Sequence, residues 1–179
     1  MKTLISTLLL VALAGCAAPN TPSRLPNMYR SAADDLGKGN GIGGFKDTVK
    51  KRQEERFQRV RELAAEGRIE EPEHFRFAAA LLTMSSRAAD LELALELAQK
   101  GADLGDPQSR WFVAEATDKL LMKQDLPQKY GTQVVWWHVF SEFRLYDVDP
   151  TTTDYERSLV GLPPLADLRK RAEMPVSYT

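Results

Sequence analysis

Ala98-Gln99-Lys100-Gly101-Ala102-Asp103-Leu104-Gly105-Asp106-Pro107 reads as the end of one helix and the start of the next. Gly105 can stop the first helix, because a residue without Cβ takes the left-handed cap conformation freely. Asp106 then offers a capping carboxylate, and Pro107 suits a first turn, where its missing N–H is no loss. Upstream, Asp90 is placed to cap a helix from Leu91 to about Leu104, with Leu93, Ala94, Leu97 and Ala98 at apolar spacing. Downstream, a further helix runs to about Lys123. Two helices joined by so short a turn pack as a hairpin.

The same signals recur outward from this stretch. Pro72 opens a helix through Phe75-Arg76-Phe77-Ala78-Ala79-Ala80-Leu81-Leu82 to about Ser85, with an alanine face that lets a neighbour approach closely. Before it, Asp47 caps a helix to about Glu66, closed by Gly67, with Val49, Phe57, Val60, Leu63 and Ala64 near one face. Lys50, Lys51, Arg52, Arg56 and Arg59 decorate the remainder. Glu54, Glu55 and Glu62 interleave with them, which points to a solvated face more than to a lipid-binding one. After Pro127, Gln133 to Phe140 and Phe143 to Val148 are β-branched and aromatic, the texture of a short hairpin or extended pair. Asp154 caps a short helix to Val160 that Gly161 ends, and a last helix spans Leu165 to about Glu173. The expected fold is mainly α: a helical-hairpin bundle with a short β-hairpin or extended pair after the fourth helix. Trp111, Trp136 and Trp137, on helix and strand positions, are expected in the core.

The Ala98–Pro107 turn is similar to the helix turns of Sel1-like and tetratricopeptide repeats, although no second copy recurs at a fixed period. The likeness implies hairpin packing and no solenoid. At the other end of the chain, Met1-Lys2 leads into an apolar run from Leu4 to Leu13, too short to span a bilayer. It ends on Leu13-Ala14-Gly15-Cys16, which resembles the lipobox of bacterial lipoproteins. The resemblance implies that Cys16 is acylated and becomes the first residue of the mature chain, attached to the cell envelope. Ala17 stands where an aspartate is associated with inner-membrane retention, which points to the outer membrane, facing the periplasm. The domain layout that follows is a signal peptide at 1–15, a lipidated flexible tether at 16–45, a helical domain at 46–174 and a tail at 175–179. Pro19, Pro22 and Pro26, then Gly37, Gly39, Gly41, Gly43 and Gly44, suggest the tether, with an r.m.s. span of roughly 30 Å.

Charge narrows the partners. The chain carries 24 basic and 25 acidic residues; removing Lys2 with the signal peptide leaves 23 and 25, formally −2. Such a balance gives no footprint for nucleic acid. Cys16 is the sole cysteine, so no intrachain disulfide forms. The expected partners are the membrane, through the anchor, and an envelope protein.

Leu126-Pro127-Gln128-Lys129-Tyr130-Gly131-Thr132-Gln133 is the densest run of hydrogen-bonding side chains outside the charged surfaces. It resembles the Pro-Gln-x-Tyr-Gly-Thr-Gln signature of a bacterial domain-of-unknown-function family. That family's Asp-Arg pair corresponds to Asp118-Lys119, and its arginine before Gly-Leu-Pro-Pro-Leu corresponds to Arg157 and Gly161 to Leu165. The likeness covers roughly residues 54–170; Met84-Ser85 stands where the family often has Gln-His. Two readings stay open. In one, Asp118 and Arg157 with Gln128, Tyr130, Thr132 and Gln133 line a ligand pocket or a small hydrolase site, with Asp118 as base or anchor and Arg157 holding an anion. In the other, the same groups satisfy the backbone where a helix hands over to a hairpin, and the protein is a non-enzymatic interaction domain. His74 and His138 lack zinc-site spacing, and no phosphate-loop, dinucleotide or Gly-x-Ser-x-Gly motif calls for a metal or a cofactor.

Overall fold

A computed structural model describes residues 20–39, 47–137 and 142–173. Cys16, the signal segment, His138 and the expected tail at 175–179 lie outside the described residues. A 3-10 turn, Pro22–Arg24, leads into α1 (Leu25–Gly39), followed by α2 (Asp47–Ala65), α3 (Pro72–Leu82), α4 (Ala88–Asp103) and α5 (Ser109–Met122). A two-stranded sheet of β1 (Val134–Trp137) and β2 (Glu142–Leu145) comes next, then α6 (Asp154–Leu159) and α7 (Leu165–Ala172). The fold is mainly α with one hairpin, as the periodicity indicates.

The main core is built on α3, which packs against α1, α2, α4 and α5. Phe75, Ala78, Ala79, Ala80, Leu81 and Leu82 are all buried, and the small alanine side chains let four helices close around one. Gly101, inside the quoted turn, marks the tightest point. A Cβ there would overlap Ser109 Oγ and press on Phe75 and the Pro72 carbonyl, so the α4–α5 hairpin meets the start of α3 only without a side chain. Behind Gly105, at φ 96°, Asp106 N–H bonds the Gly101 carbonyl and closes the helix.

The first correction concerns the expected tether. Residues 25–39 are helical, and the helix belongs to the core. Leu25, Met28, Tyr29 and Ala32 fall at helical spacing on one face; Leu25 and Ala32 are fully buried, and the Tyr29 ring lies 5.7 Å from Phe77. Pro26 sits in the first turn, and Gly37 and Gly39 in the last, positions where neither residue breaks a helix. Composition alone hides that stripe. As a result, the hairpin follows the fifth helix, and the folded unit reaches back to Asn20.

Smaller corrections concern helix starts. Asp90 is not a cap: α4 begins at Ala88, and the buried Asp90 carboxylate takes Arg61 Nη1 at 2.9 Å and Ser85 Oγ at 2.6 Å. Asp106 and Pro107 form a turn before α5, with Asp106 bonded to Arg76 Nε and Ser109 Oγ, both at 2.8 Å. On α6 the cap is Thr153, which forms a capping box with Glu156.

The hairpin pairs Val134 with Leu145 and Trp136 with Phe143, so these four share a face. Trp136 and Phe143 meet edge to face at 4.8 Å between centroids. Among the described residues α7 packs against β2, but Trp136 stays 44% exposed; Trp111, on the first turn of α5, is 40% exposed. Neither is the core residue its position suggests. Leu145 turns toward a second, smaller core of Ala114, Val160, Leu162 and Leu168.

Candidate functional site

Asp118 lies one turn before the end of α5, fully buried. Beyond Met122 the helix closes with Asp125 in the left-handed region, φ 57°, and Leu126 N–H bonding the Leu121 carbonyl. That reversal carries residues 127–133 back along the helix and over Asp118. The carboxylate then accepts from three consecutive amides: Tyr130 N–H to Oδ1 at 2.8 Å, and Gly131 and Thr132 N–H to Oδ2 at 3.0 and 2.9 Å. Thr132 Oγ1 donates a fourth bond to Oδ2 at 2.8 Å. A buried charge is tolerable only with such compensation. Gly131 stands at φ 97°, and a Cβ on it would sit 3.0 Å from Leu168 Cδ1. Here glycine is required both by the turn and by the closeness of α7.

Arg157 approaches the same peptide from the other side. It is 1% exposed; its Nε donates to the Tyr130 carbonyl at 3.0 Å, and its Nη1 to the Thr152 carbonyl at 2.8 Å and Asp154 Oδ1 at 3.1 Å. Its Nη2 is buried without a hydrogen-bond partner. Asp118 and Arg157 make no ion pair with each other. They meet through Tyr130, one holding its N–H and the other its C=O.

Gln128 ties this loop to the hairpin. Fully buried, it donates from Nε2 to the carbonyls of Gln133 (3.0 Å) and Tyr146 (2.9 Å) and accepts from Gln133 N–H at 2.8 Å. Its own backbone bridges Asp147 and Asp149, both at 2.8 Å. Gln133 precedes β1 and Tyr146 follows β2, so one amide side chain fixes the base of the hairpin. Nearby, Thr151 N–H and its hydroxyl hold the Asp149 carboxyl below its ordinary pKa, and those of Thr153 do the same for Glu156.

The structure therefore brings Asp118, Gln128, Tyr130, Thr132, Gln133 and Arg157 together, as one network built around the backbone of 128–133. A buried carboxylate facing four donors offers no approach for a substrate. Gln133 also lines an open cleft of about 280 Å³, together with Ser85, Leu91, Lys119, Met122 and Lys123. Lys119 donates there to the Thr83 carbonyl at 2.6 Å and to Glu115 at 2.7 Å.

The chain matches no family model, no curated protein and no solved structure. Function rests on the chemistry of its own residues.

Sequence reading missed a second polar cluster, between α1 and α2. Asp35 accepts from Arg52 Nη2 at 2.7 Å and Arg56 Nη2 at 2.8 Å, and Arg56 Nη2 also donates to Ser31 Oγ at 2.8 Å. Hydrogen bonds from Arg52, then Arg56, lower the Asp35 carboxyl to about 2. The signal was the helical stripe of α1, whose polar side carries Ser31 and Asp35. Among the described residues no group of His, Cys, Asp and Glu converges as a metal set, and no helix is long and apolar enough to cross a membrane.

Proposed function

We propose that this chain is an acylated envelope lipoprotein, anchored through Cys16 at the outer membrane and facing the periplasm, whose helical domain binds a protein partner without chemistry of its own. The anchor rests on the Leu13-Ala14-Gly15-Cys16 lipobox. At roughly 0.8 kcal/mol per buried methylene, two or three acyl chains hold a protein at a membrane almost irreversibly. The non-enzymatic reading rests on one observation: the Asp118 carboxylate is closed in by the amides of Tyr130, Gly131 and Thr132. The residue best placed to be a base serves as scaffold instead. In cells fed a labelled fatty acid, Cys16→Ser should abolish labelling and release the protein from the membrane fraction. Labelling and fractionation equal to wild type would sink the anchor.

A second reading is favoured by the cleft at Gln133. Ser85 stands where the resembling family often has histidine, and Lys119 where it has arginine; both line this cleft with the last residue of the heptapeptide. A ligand site there would use Lys119, Lys123 and Gln133, leaving Asp118 and Arg157 behind it as supports. Gln133→Ala with unchanged stability but lost activity in cells would promote this reading; unchanged activity would dismiss it.

A further inference from the structure

One face of α2 is rich in arginine. Arg52, Glu55, Arg56 and Arg59 follow at helical spacing and, with Arg24 from the turn before α1, line a cleft of about 300 Å³ between α1 and α2. Of the other α2 acids, none of which lines this cleft, Glu54 pairs with Arg61 at 2.6 Å, and Glu62 accepts from Gln58 at 3.0 Å and from Asn20 at 3.4 Å. Arg52, Arg56 and Arg59 thus line the cleft with Glu55, and Asp35 is ion-paired to Arg52 and Arg56, so the α2 arginines outnumber these two acids by one; Arg24, which has a contact of its own, completes the lining.

The cleft is also prepared for an oxygen-rich anion. Arg56 is 9% exposed and fixed by Ser31, Asp35 and, through Nη1, Gln53 Oε1 at 2.9 Å. A guanidinium already held in place loses little freedom when it forks onto phosphate. Arg52 is half exposed and Arg59 is exposed, so both present cations outward beside the fixed one.

Chain length then limits how far this cleft can lie from Cys16. Asn20 Nδ2 donates to the carbonyl of Arg59 at 3.1 Å, at the end of the arginine stripe. Only the chain from 16 to 20 separates Cys16 from that bond, and a fully extended chain covers at most ~14 Å over it. A tether of 30 residues would leave the domain free to face any direction; one this short does not.

We infer that the cleft of Arg24, Arg52, Arg56 and Arg59 binds the phosphate of an anionic phospholipid headgroup, seating α1 and α2 on the membrane that carries the anchor. The inference rests on the anchor reading for its geometry and on the arginines for its chemistry, and the two are tested separately. The chain from Ala17 onward keeps every described residue and has no acyl group. Its binding is measured by co-sedimentation with vesicles of phosphatidylcholine alone and of phosphatidylcholine with phosphatidylglycerol. Preferential binding to the anionic vesicles is expected, weakened about fivefold by Arg59→Gln alone, the contribution of one cation near a charged surface. The pair Arg24→Glu/Arg59→Glu should bring binding to the phosphatidylcholine level. The pair Lys170→Glu/Arg171→Glu, an equal charge change on exposed residues of α7, should leave most of the preference intact.

Equal binding to both vesicles overturns the inference, and so does equal loss in the two paired variants, which would mean bulk charge. If the doubly reversed chain fails to fold, Arg59→Gln decides the matter, and an unchanged preference in it overturns the cleft. Amide shifts at Arg59 with inorganic phosphate, without vesicle preference, would assign the cleft to a free anion and overturn the headgroup. Fatty-acid labelling of Cys16 in the full chain is scored independently. Labelling without vesicle preference keeps the anchor and removes the cleft, whereas preference without labelling does the reverse.

Discussion

Asp118 and Asp35 solve the same problem in opposite ways. Asp118 is fully buried at the α5–hairpin junction and is neutralised by amides and a hydroxyl of one loop. Asp35 is near the surface, where its side chain is 14% exposed, and is neutralised by Arg52 and Arg56 of another helix. In the first region the charge dictates a loop conformation and leaves nothing over for a ligand. In the second it docks a helix while its cationic partners remain partly open. The fully buried polar groups Asp118, Gln128 and Arg157 build the fold, whereas Arg52 beside Asp35 keeps part of its side chain in solvent.

The comparison breaks most visibly if α1 is removed. A chain beginning at Phe45 loses the Asp35 cluster, the Tyr29–Phe77 contact and the burial of Leu25 and Ala32. Truncating a fully buried leucine to alanine alone costs about 2–5 kcal/mol, so loss of the whole helix should exceed that. Urea unfolding measures it, and a melting temperature within a few degrees of the longer chain would show that α1 is dispensable.

Asp118→Ala should come next. It strands three amides and a hydroxyl in a buried site, a loss of about 3–5 kcal/mol by analogy with breaking a buried charge network. Asp118→Asn keeps the shape and one acceptor oxygen and should fall between. A stable Asp118→Ala protein that loses activity in cells would restore the pocket reading of this site.

The smallest effect separates the two aspartates by pH. Asp35 has a folded value of about 2, below the ordinary carboxylate value near 3.9. A depressed value means that its contribution is complete above about pH 4 and is lost as pH falls through about 2. Hydrogen exchange of α1 amides should quicken in that window, and Asp35→Asn should remove the step. Exchange in α1 that ignores acid down to pH 2 would show that the Asp35 pairs contribute nothing to docking.

Much of the fold was legible because its signals are local. Gly67, Gly105 and Gly161 close α2, α4 and α6 in the left-handed conformation the sequence asks for, and Pro72 opens α3. The hairpin after Pro127 and the last helix follow from residue type and spacing in the same way. Asp90 was misread because a carboxylate near a helix start looks the same whether it caps that helix or reaches Arg61 on another. The exposed Trp136 shows the converse: a strand's pattern names its two faces, but the number of layers decides whether either is covered.

By itself the sequence determined where α2, α4 and α6 stop, that the domain is helical with one hairpin, and which polar residues of 118–157 gather. Turns, caps and periodicity act over one to four residues, so neighbours in the chain suffice to state them. Only the tertiary structure decided that 25–39 belongs to the core, that Asp118 and Arg157 grip one peptide without touching, and that Asp35 of α1 pairs with Arg52 and Arg56 of α2. Each of those turns on residues from 12 (Asp118 and Tyr130) to 48 (Tyr29 and Phe77) positions apart. A charge acquires its role from what faces it in space, and no count along the chain contains that.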